Sequence, residues 1–483
     1  MSGRRKKKFD QPLFEQIEIT DAGAEGKAIA RVDSMVIFVP FAAPGDVVDI
    51  KVIKKKKSFY EGNVIKYHQL SEKRVDPRCG HFGLCGGCKW QHLSYDEQLF
   101  LKQKQVIDNF QRIGKLTIPP FEPIKPSSEQ YFYRNKLEFS FSNRKWLSEN
   151  EKVEGQFTNA NGVGMHLPGM FDRIVDIENC YLQREPSNSI RLFLKDYGIE
   201  RSLTFYDARI HGGFLRNVTI RTTSTGETMV ILAFGYNDDP EISKLTAQLM
   251  AAFPEITSLF TVINPKKNDT INDLQLRLVA GKPYITEQMD HLSFKIGPLS
   301  FYQTNPQQAQ VLYETARSFA AFEGHELVYD LYCGTGTITN FIAGQVKKVI
   351  GIEYIPEAIA DAFENSRLNG ISNTDFVVGD IAATLNEDFV NRHGKPDVVI
   401  TDPPRSGMHP KVIEQLLRIA PQKIVYVSCN PATQARDIAL LSEKYSLDKI
   451  QPVDMFPQTH HVENVTLLTK LSPAQAQPAA QAL

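Results

Sequence analysis

The chain has 483 residues, of which 42% are hydrophobic and 23% charged, and its formal net charge is −1. This composition is typical of a globular protein of about three domains and excludes a globally disordered, collagen-like or uniformly basic chain. Six cysteines are too few for a disulfide scaffold. The sequence contains no apolar run of membrane-spanning length and no apolar segment after its basic start, so we expect a cytoplasmic protein that contacts no membrane.

The N-terminal part combines basic runs with short β-rich segments. Residues 1–10 are predicted to be a basic disordered tail, and residues 11–72 carry five short segments separated by Gly, Asp and Pro, which predicts a small OB-like β-barrel. Over residues 1–78 sixteen Lys and Arg face eleven Asp and Glu. This local surplus is compatible with RNA binding, although a solvated tail and a solvated hairpin tip explain it equally well.

Residues 73–300 are predicted to form a central α+β domain that begins with a cysteine-rich loop. The stretch 94–113 is an amphipathic helix pattern ended by Gly114, and we expect this helix to pack on the C-terminal domain. Further along, the segments LTFYDARI, LRNVTIRTT, ETMVILAFGY and SLFTVINP are predicted to be strands, the first two neighbouring each other.

Residues 301–472 alternate strands and helices, which predicts a doubly wound, Rossmann-like α/β domain with a mostly parallel sheet. Residues 473–483 are small and polar and are predicted to be a disordered tail. The first strand of this domain leads through a Gly-rich turn, Cys333-Gly334-Thr335-Gly336, into a helix. A strand, a G-x-G turn and a helix are typical of a nucleotide-binding site.

Acidic residues follow several of these strands. Asp330, Glu353, Asp380 and Asp402 each stand at a strand end, and parallel strands place such ends at one edge of the sheet. Glu353 is positioned to accept hydrogen bonds from two ribose hydroxyls, whereas any one of these acids could instead cap a helix. The third glycine of the dehydrogenase pattern is replaced by Thr339, and the D-L-x-C-G-x-G form resembles class I S-adenosylmethionine enzymes.

A thiol and a carboxylate are predicted to share that edge. Cys429, in VSCNP, ends a strand next to a helix start, where a thiol can have a lowered pKa and act as a nucleophile. Glu463, in HHVEN, precedes the last strand and could act as a general base. Thiolate addition to carbon 6 of a pyrimidine makes carbon 5 nucleophilic toward a methyl sulfonium. This reaction needs one thiol and one proton acceptor next to a nucleobase that has left its stack.

The combination of DPPRSG, VSCNP and HVEN with the segment Phe301–Asn305 resembles the RNA uracil-5-methyltransferases over about the last 170 residues. The resemblance implies that Cys429 is the nucleophile and Glu463 the base. It implies S-adenosylmethionine as cofactor. Its expected contacts are Gln303, Tyr332, Thr337, Glu353, Asp380 and Asp402, of which Asp402 could also orient the uracil. Arg405 replaces the aromatic residue of amino-methylating D/N-P-P-Y motifs, and the Pro-Cys of cytosine-5 enzymes is absent from the sequence, which leaves uracil.

The other cysteines are spaced C-x5-C-x2-C, at Cys79, Cys85 and Cys88, with Cys180 far downstream. Four thiolates with glycines between them suit zinc or an iron–sulfur cluster, and the spacing does not choose between them. Within the family the pattern is similar to the branch that carries a [4Fe–4S] cluster, and the first barrel resembles a TRAM domain. That pairing implies the enzymes of 23S ribosomal RNA, whose RNA we expect as the partner of a monomeric protein.

Residues 131–136 read YFYRNK and place three aromatic side chains directly before Arg134 and Lys136. The resemblance makes Arg134, with Lys136, a candidate for RNA binding. A strand start with a buried aromatic face is the other interpretation. Three further functions stay open. One is the same chemistry on tRNA. Another is a non-catalytic RNA-binding or assembly factor, against which the intact Cys429 and Glu463 speak. The third is a methyltransferase acting on protein or small molecules, which would have no use for the barrel or the basic runs.

Overall fold

The computed structural model describes residues 11–147 and 160–472, so the predicted tails at 1–10 and 473–483 lie outside the described residues. Within these ranges no helix is both long and apolar enough to cross a lipid bilayer. The structure contains a closed barrel, a central sheet and a C-terminal sheet, and hydrophobic cores join the last two.

The N-terminal barrel has five strands in the order β1-β2-β3-β5-β4, which confirms the predicted OB-like fold. Alternate residues of each strand point inward, so Ile19, Ile37, Val48 and Ile50 are fully buried. The strands are β1 (Leu13–Ala22), β2 (Ala28–Val32), β3 (Met35–Val39), β4 (Val47–Lys55) and β5 (Phe59–Gln69).

A single long helix follows the cysteine-rich loop. Helix α1 (Tyr95–Arg112) begins at Ser94, whose side chain accepts a hydrogen bond from the amide of Glu97. Its buried residues Val106 and Phe110 belong to the core of the C-terminal domain, so the helix lies against that domain.

The central domain is built on a seven-stranded sheet in the order β12-β11-β10-β9-β6-β7-β8. Its elements are β6 (Lys136–Ser142), β7 (Gly162–His166), β8 (Ile174–Asp176), α2 (Ser187–Glu200), β9 (Leu215–Thr222), β10 (Thr228–Phe234), α3 (Asp239–Ala252), β11 (Ile256–Ile263) and β12 (Arg277–Gly281). Helices α2 and α3 cover one face, and toward β10 and β11 the other face packs on the C-terminal domain.

One predicted strand of this domain is wrong. The segment LTFYDARI, residues 203–210, forms only isolated bridges, Phe205 with Leu215 and Asp207 with Gly212. Gly213 has φ 130°, and a Cβ there would lie 2.5 Å from the Phe205 carbonyl oxygen. The chain therefore folds back on itself too tightly for a second strand to pair along β9.

The C-terminal sheet has the order β17-β16-β15-β18-β19-β21-β20, and all its strands run parallel except β21, which pairs antiparallel with both β19 and β20, as the mostly parallel, doubly wound prediction requires. A hairpin of β13 (Ile285–Met289) and β14 (Leu292–Ile296) precedes it. The other strands are β15 (Leu327–Leu331), β16 (Lys348–Glu353), β17 (Thr374–Val378), β18 (Val398–Thr401), β19 (Lys423–Ser428), β20 (Tyr445–Val453) and β21 (Glu463–Lys470). The helices are α4 (Pro306–Ala320), α5 (Thr337–Ala343), α6 (Pro356–Leu368), α7 (Ile381–Thr384), α8 (Glu387–His393), α9 (Pro410–Ile419) and α10 (Pro431–Leu441).

Candidate active site

The turn between β15 and α5 is shaped to admit a ligand close to the backbone. Tyr332, Gly334 and Gly336 all have positive φ. At Gly336 a Cβ would lie 2.9 Å from the Ala362 side chain and 3.0 Å from the ring of Phe376, so only glycine fits. The Gly-rich turn that the sequence singled out thus has the tight form of a nucleotide-binding loop.

Glu353, at the end of β16, braces this turn. One carboxylate oxygen accepts a hydrogen bond from the Gly334 amide at 3.2 Å, and the other accepts from the amides of Tyr354 and Ile355 at 2.8 and 3.0 Å. The carboxylate is therefore fixed beside the turn, at the place where a ribose would meet it.

The remaining predicted cofactor contacts lie around the same edge in different settings. Asp380 is exposed and caps α7, accepting from the Ala382 amide at 3.1 Å, so it has the capping role that was the alternative for it. Thr337 opens α5 and is buried. Gln303 precedes α4, and its carbonyl accepts a hydrogen bond from the Asn135 side chain at 3.1 Å.

Two carboxyl groups at neighbouring strand ends are held in a poorly solvated place. Leu331 of β15 pairs with Thr401 of β18, which brings Asp330 and Asp402 near each other. Burial first, and then the charge of Asp330, raise the pKa of Asp402 to about 7. Burial also raises the pKa of Asp330 to about 7, and one of its oxygens has no hydrogen-bond partner. A cationic ligand at this edge would therefore be favoured.

Cys429 and Glu463 come together through the pairing of the last strands. The antiparallel register of β19 and β21 ends with the pair Ser428 and Asn464, and Cys429 and Glu463 each lie one position further toward the same end. The charge of Glu463 acts on the Cys429 thiol, so the two groups are close. Asn430 caps α10 through the Ala432 amide, so the thiol stands just before a helix start, as predicted.

The predicted lowering of the Cys429 pKa is wrong. Burial, followed by the charges of Glu463 and Asp402, raises the pKa of Cys429 to about 11, and the charge of Arg405 is the largest influence that lowers it. Burial and Asp402 likewise raise the pKa of Glu463 well above its usual value. The helix start is outweighed because burial and two nearby carboxyl groups all disfavour the thiolate.

The loop before Glu463 is held from several directions. The Gln458 carbonyl accepts hydrogen bonds from the amides of Lys89 and Trp90 at 2.9 and 3.0 Å, and the Tyr133 hydroxyl donates to Pro457 at 2.9 Å. Lys89 follows Cys88 directly, so the cysteine-rich loop supports the loop that carries Glu463. Sequence reasoning missed these supports because they join residues more than 300 positions apart.

Cys79, Cys85, Cys88 and Cys180 line one cavity. Burial raises the pKa of Cys85 to about 11 and that of Cys88 to about 12. The Gly87 amide donates to the Cys85 sulfur at 3.4 Å. Across residues 11–147 and 160–472 no three His, Cys, Asp or Glu side chains are grouped closely enough to hold one metal ion. Four thiols around one cavity nevertheless suit a polynuclear cluster, which binds each thiolate to a different iron.

The two RNA candidates have different surroundings. The Arg134 guanidinium lies 5.2 Å from the ring of Phe456, close to the loop before Glu463, and its Nε is buried without a partner. Lys136 begins β6 and pairs with Arg221 of β9, a residue that the sequence analysis did not single out.

The comparisons with known proteins agree with this site. The family profile for tRNA (uracil-5-)-methyltransferases matches residues 222–471, and the TRAM-domain profile matches residues 15–65. An uncharacterized RNA methyltransferase of Bacteroides thetaiotaomicron is 54% identical over 92% of the chain and 99% of its own length. The chain belongs to the RNA uracil-5-methyltransferases. It is therefore an S-adenosylmethionine-dependent RNA-modifying enzyme.

Other relatives of this methyltransferase match along nearly the whole chain. An uncharacterized RNA methyltransferase of Porphyromonas gingivalis is 53% identical, over 94% of the chain and 99% of its own length. Among solved structures, the tRNA (uracil-54, C5)-methyltransferase of Pyrococcus abyssi with S-adenosyl-L-homocysteine is 28% identical, with a TM-score of 0.73, 94% of the chain and 99% of that chain covered. The family assignment argues against the alternative of a non-catalytic RNA-binding or assembly factor.

Proposed function

We propose that this enzyme methylates carbon 5 of a uridine in 23S ribosomal RNA through a transient covalent bond between Cys429 and carbon 6 of the uracil. The observation that carries the proposal is that Cys429 and Glu463 lie at the same end of the paired strands β19 and β21, where the charges of Glu463 and Asp402 both act on the Cys429 thiol. A nucleophile and a base at one edge of the sheet can act on the same ring.

The residues divide the reaction as follows. The Cys429 sulfur, once deprotonated, forms the bond to carbon 6, and the electrons of the C5–C6 double bond move onto the carbonyl at carbon 4. S-adenosylmethionine supplies an electrophilic methyl group, which carbon 5 takes. The Glu463 carboxylate then removes the proton from carbon 5, and the returning electron pair expels the Cys429 thiolate. No atom is oxidised or reduced overall.

The charges around the site must change before the sulfur reacts. Burial and the neighbouring carboxyl groups raise the pKa of Cys429 to about 11, so a cation next to the sulfur would favour the thiolate. Arg405 is exposed, and its charge lowers the pKa of both Cys429 and Glu463. Exclusion of water by bound RNA would strengthen the interaction between Arg405 and the Cys429 thiolate, because an ionic interaction grows as the local dielectric constant falls. Arg405 is thus proposed to favour the thiolate.

For the cofactor we propose contacts from Glu353, Tyr332 and Gln303 on one side and from Asp402 on the other. Thr337 and Asp380 are the remaining proposed contacts of the cofactor. The acidic edge formed by Asp330 and Asp402 suits a positively charged sulfonium.

For the four cysteines we propose a [4Fe–4S] cluster held by Cys79, Cys85, Cys88 and Cys180. Their common cavity and the amide hydrogen bond to Cys85 support it. Methyl transfer needs no redox step, so its proposed role is structural: it fixes the loop whose Lys89 and Trp90 amides hold Gln458. Residues 11–72 and Arg134 are proposed to bind the RNA.

A second substrate, tRNA, is favoured by one observation. The Pyrococcus abyssi enzyme, named for uracil 54 of tRNA, matches 94% of this chain. Both RNAs should therefore be tested. Purified protein and S-adenosylmethionine are incubated with unmodified 23S ribosomal RNA and with unmodified tRNA, and 5-methyluridine is mapped in each. New 5-methyluridine in tRNA alone would refute the ribosomal assignment.

The covalent step is tested with RNA containing 5-fluorouridine. A base can remove a proton from carbon 5 but cannot remove the fluorine that replaces it, so the covalent adduct does not break down. The parent protein should form an adduct that survives denaturing electrophoresis, with carbon 6 attached to Cys429. Cys429→Ser should form none. Asp448→Asn, at an exposed position of β20 away from the site, serves as the control variant and should react like the parent. A Cys429→Ser variant that turns over as fast as the parent would refute the mechanism.

A further inference from the structure

Two cations lie side by side on the central sheet, and among the described residues no acid forms a hydrogen bond or ion pair with either. Lys136 of β6 and Arg221 of β9 are directly opposite in the antiparallel register, so their side chains share one face. Arg221 is 6% exposed, and its Nε has no hydrogen-bond partner. Its one hydrogen bond in the described structure runs from Nη2 to the Ser300 carbonyl at 2.8 Å.

The register also fixes which way this pair faces. Arg221 pairs in turn with Met229 of β10, and Met229 belongs to the core shared with the C-terminal domain. The pair therefore looks toward the catalytic domain rather than toward α2 and α3. Ser300, to which Arg221 donates, directly precedes the Phe301–Asn305 segment beside the proposed cofactor site.

Burial makes this arrangement costly as it stands. It lowers the pKa of Arg221 to about 10, and burial together with Arg221 lowers the pKa of Lys136. The charge of Glu138, two residues along β6 on the same face, raises the pKa of Lys136, but this acid is exposed and forms no ion pair with Lys136 within 4 Å in the part of the chain that is described. Counting Glu138 as ionised, one positive charge stays uncompensated. Adjacent buried cations are stable in a protein mainly when an anion completes them.

We propose that Lys136 and Arg221 bind a backbone phosphate of the substrate RNA at the face of the central sheet that looks toward the catalytic domain. The inference rests on the proposed RNA substrate but on no particular uridine. A guanidinium offers paired donors that match phosphate oxygens, and an ammonium adds a second charge. The carboxylate of S-adenosylmethionine has similar anion chemistry, so the test separates the two sources.

The test uses Lys136→Met in the full-length protein, because Arg221 also supports Ser300. Binding of a short oligouridine is measured between 50 and 200 mM salt. We expect about tenfold weaker affinity and a slope of log K against log salt smaller in magnitude by about 0.7, as for one lost phosphate contact on a single strand. Arg277→Gln, an exposed arginine of β12 at the far edge of the same sheet, is the control and should match the parent.

Two further readouts distinguish the alternatives. The melting temperature of Lys136→Met should be equal to or above that of the parent, since an uncompensated charge has been removed. Binding of S-adenosylhomocysteine, which carries the same carboxylate, should not change. An unchanged salt slope, or absence of oligouridine binding by the parent, would overturn the proposal. Weaker S-adenosylhomocysteine binding with an unchanged slope would assign the pair to the cofactor instead. None of these measurements needs methyl transfer, so failure of the Cys429 mechanism would remain distinguishable.

Discussion

Replacing Lys102 by Met should destabilise the protein strongly, because this buried lysine neutralises a buried acid. Lys102 and Asp454 are both fully buried, and the Lys102 ammonium lies 2.5 Å from one Asp454 oxygen. The same ammonium donates to the Phe456 carbonyl at 3.0 Å. This ion pair ties α1 to the loop that leads to Glu463.

The magnitude follows from what the substitution leaves behind. Asp454 would keep two neutral donors, the Tyr95 hydroxyl at 2.9 Å and the Phe456 amide at 3.1 Å, but no counter-charge. Removing one partner of a buried ion pair typically costs about 3–5 kcal/mol. The double variant Lys102→Met with Asp454→Asn leaves no unpaired charge, so its loss should be smaller than that of Lys102→Met by about 1–3 kcal/mol.

Urea unfolding of the parent, the two single variants and the double variant gives the four free energies of this cycle. Hydrogen exchange at residues 454–461 reports whether the loop before Glu463 loosens first. The control is Lys104→Met, a partly exposed lysine of the same helix, which should cost about 1 kcal/mol or less. A loss below about 1 kcal/mol for Lys102→Met, or a double variant whose loss equals the sum of the single ones, would refute the reasoning.

Three shorter predictions concern the sites. Folding raises the pKa of Asp402 from 3.8 to about 7, so the contribution of this group to stability is complete below pH 3.8 and is lost as pH rises through 7. The Asp402→Asn variant cannot ionise at this position. Its free energy of unfolding in urea should therefore increase relative to that of the parent as pH rises from 3.8 to 7. Thr339→Val removes a 2.6 Å hydrogen bond to buried Asp330 and should cost about 1–3 kcal/mol by the same measurement. Cys85→Ala should abolish cluster absorbance and lower RNA affinity or folding yield, and a variant with intact absorbance and activity would contradict the ligand assignment.

The C-terminal domain could be predicted well because its information is local. Each strand from β15 to β19 is a short run followed by a helix, and the turn at Gly334 and Gly336 carries residues that only this geometry needs. The same locality served the barrel and α1. Prediction failed at residues 203–210, where a β-rich composition was outweighed by a tight return at Gly213 that depends on its contact with Phe205.

Charge was harder to foresee than position. The sequence indicated where Cys429 would stand but not the direction of its pKa shift, because that shift is the sum of burial and of charges from two other segments, one with Asp402 and Arg405 and one with Glu463. The pairing of Lys136 with Arg221 was missed for a similar reason: the two residues are 85 positions apart, and only strand register makes them neighbours.

By itself, the amino-acid sequence determined the type of each domain and the residues able to do the chemistry, since strand periodicity, helix caps and glycine turns act over a few positions. Only the tertiary structure decided which of those residues meet, how far each is removed from water, and which charges remain uncompensated. These properties depend on through-space distances between segments that are remote along the chain, and electrostatic energy follows those distances rather than the order of residues.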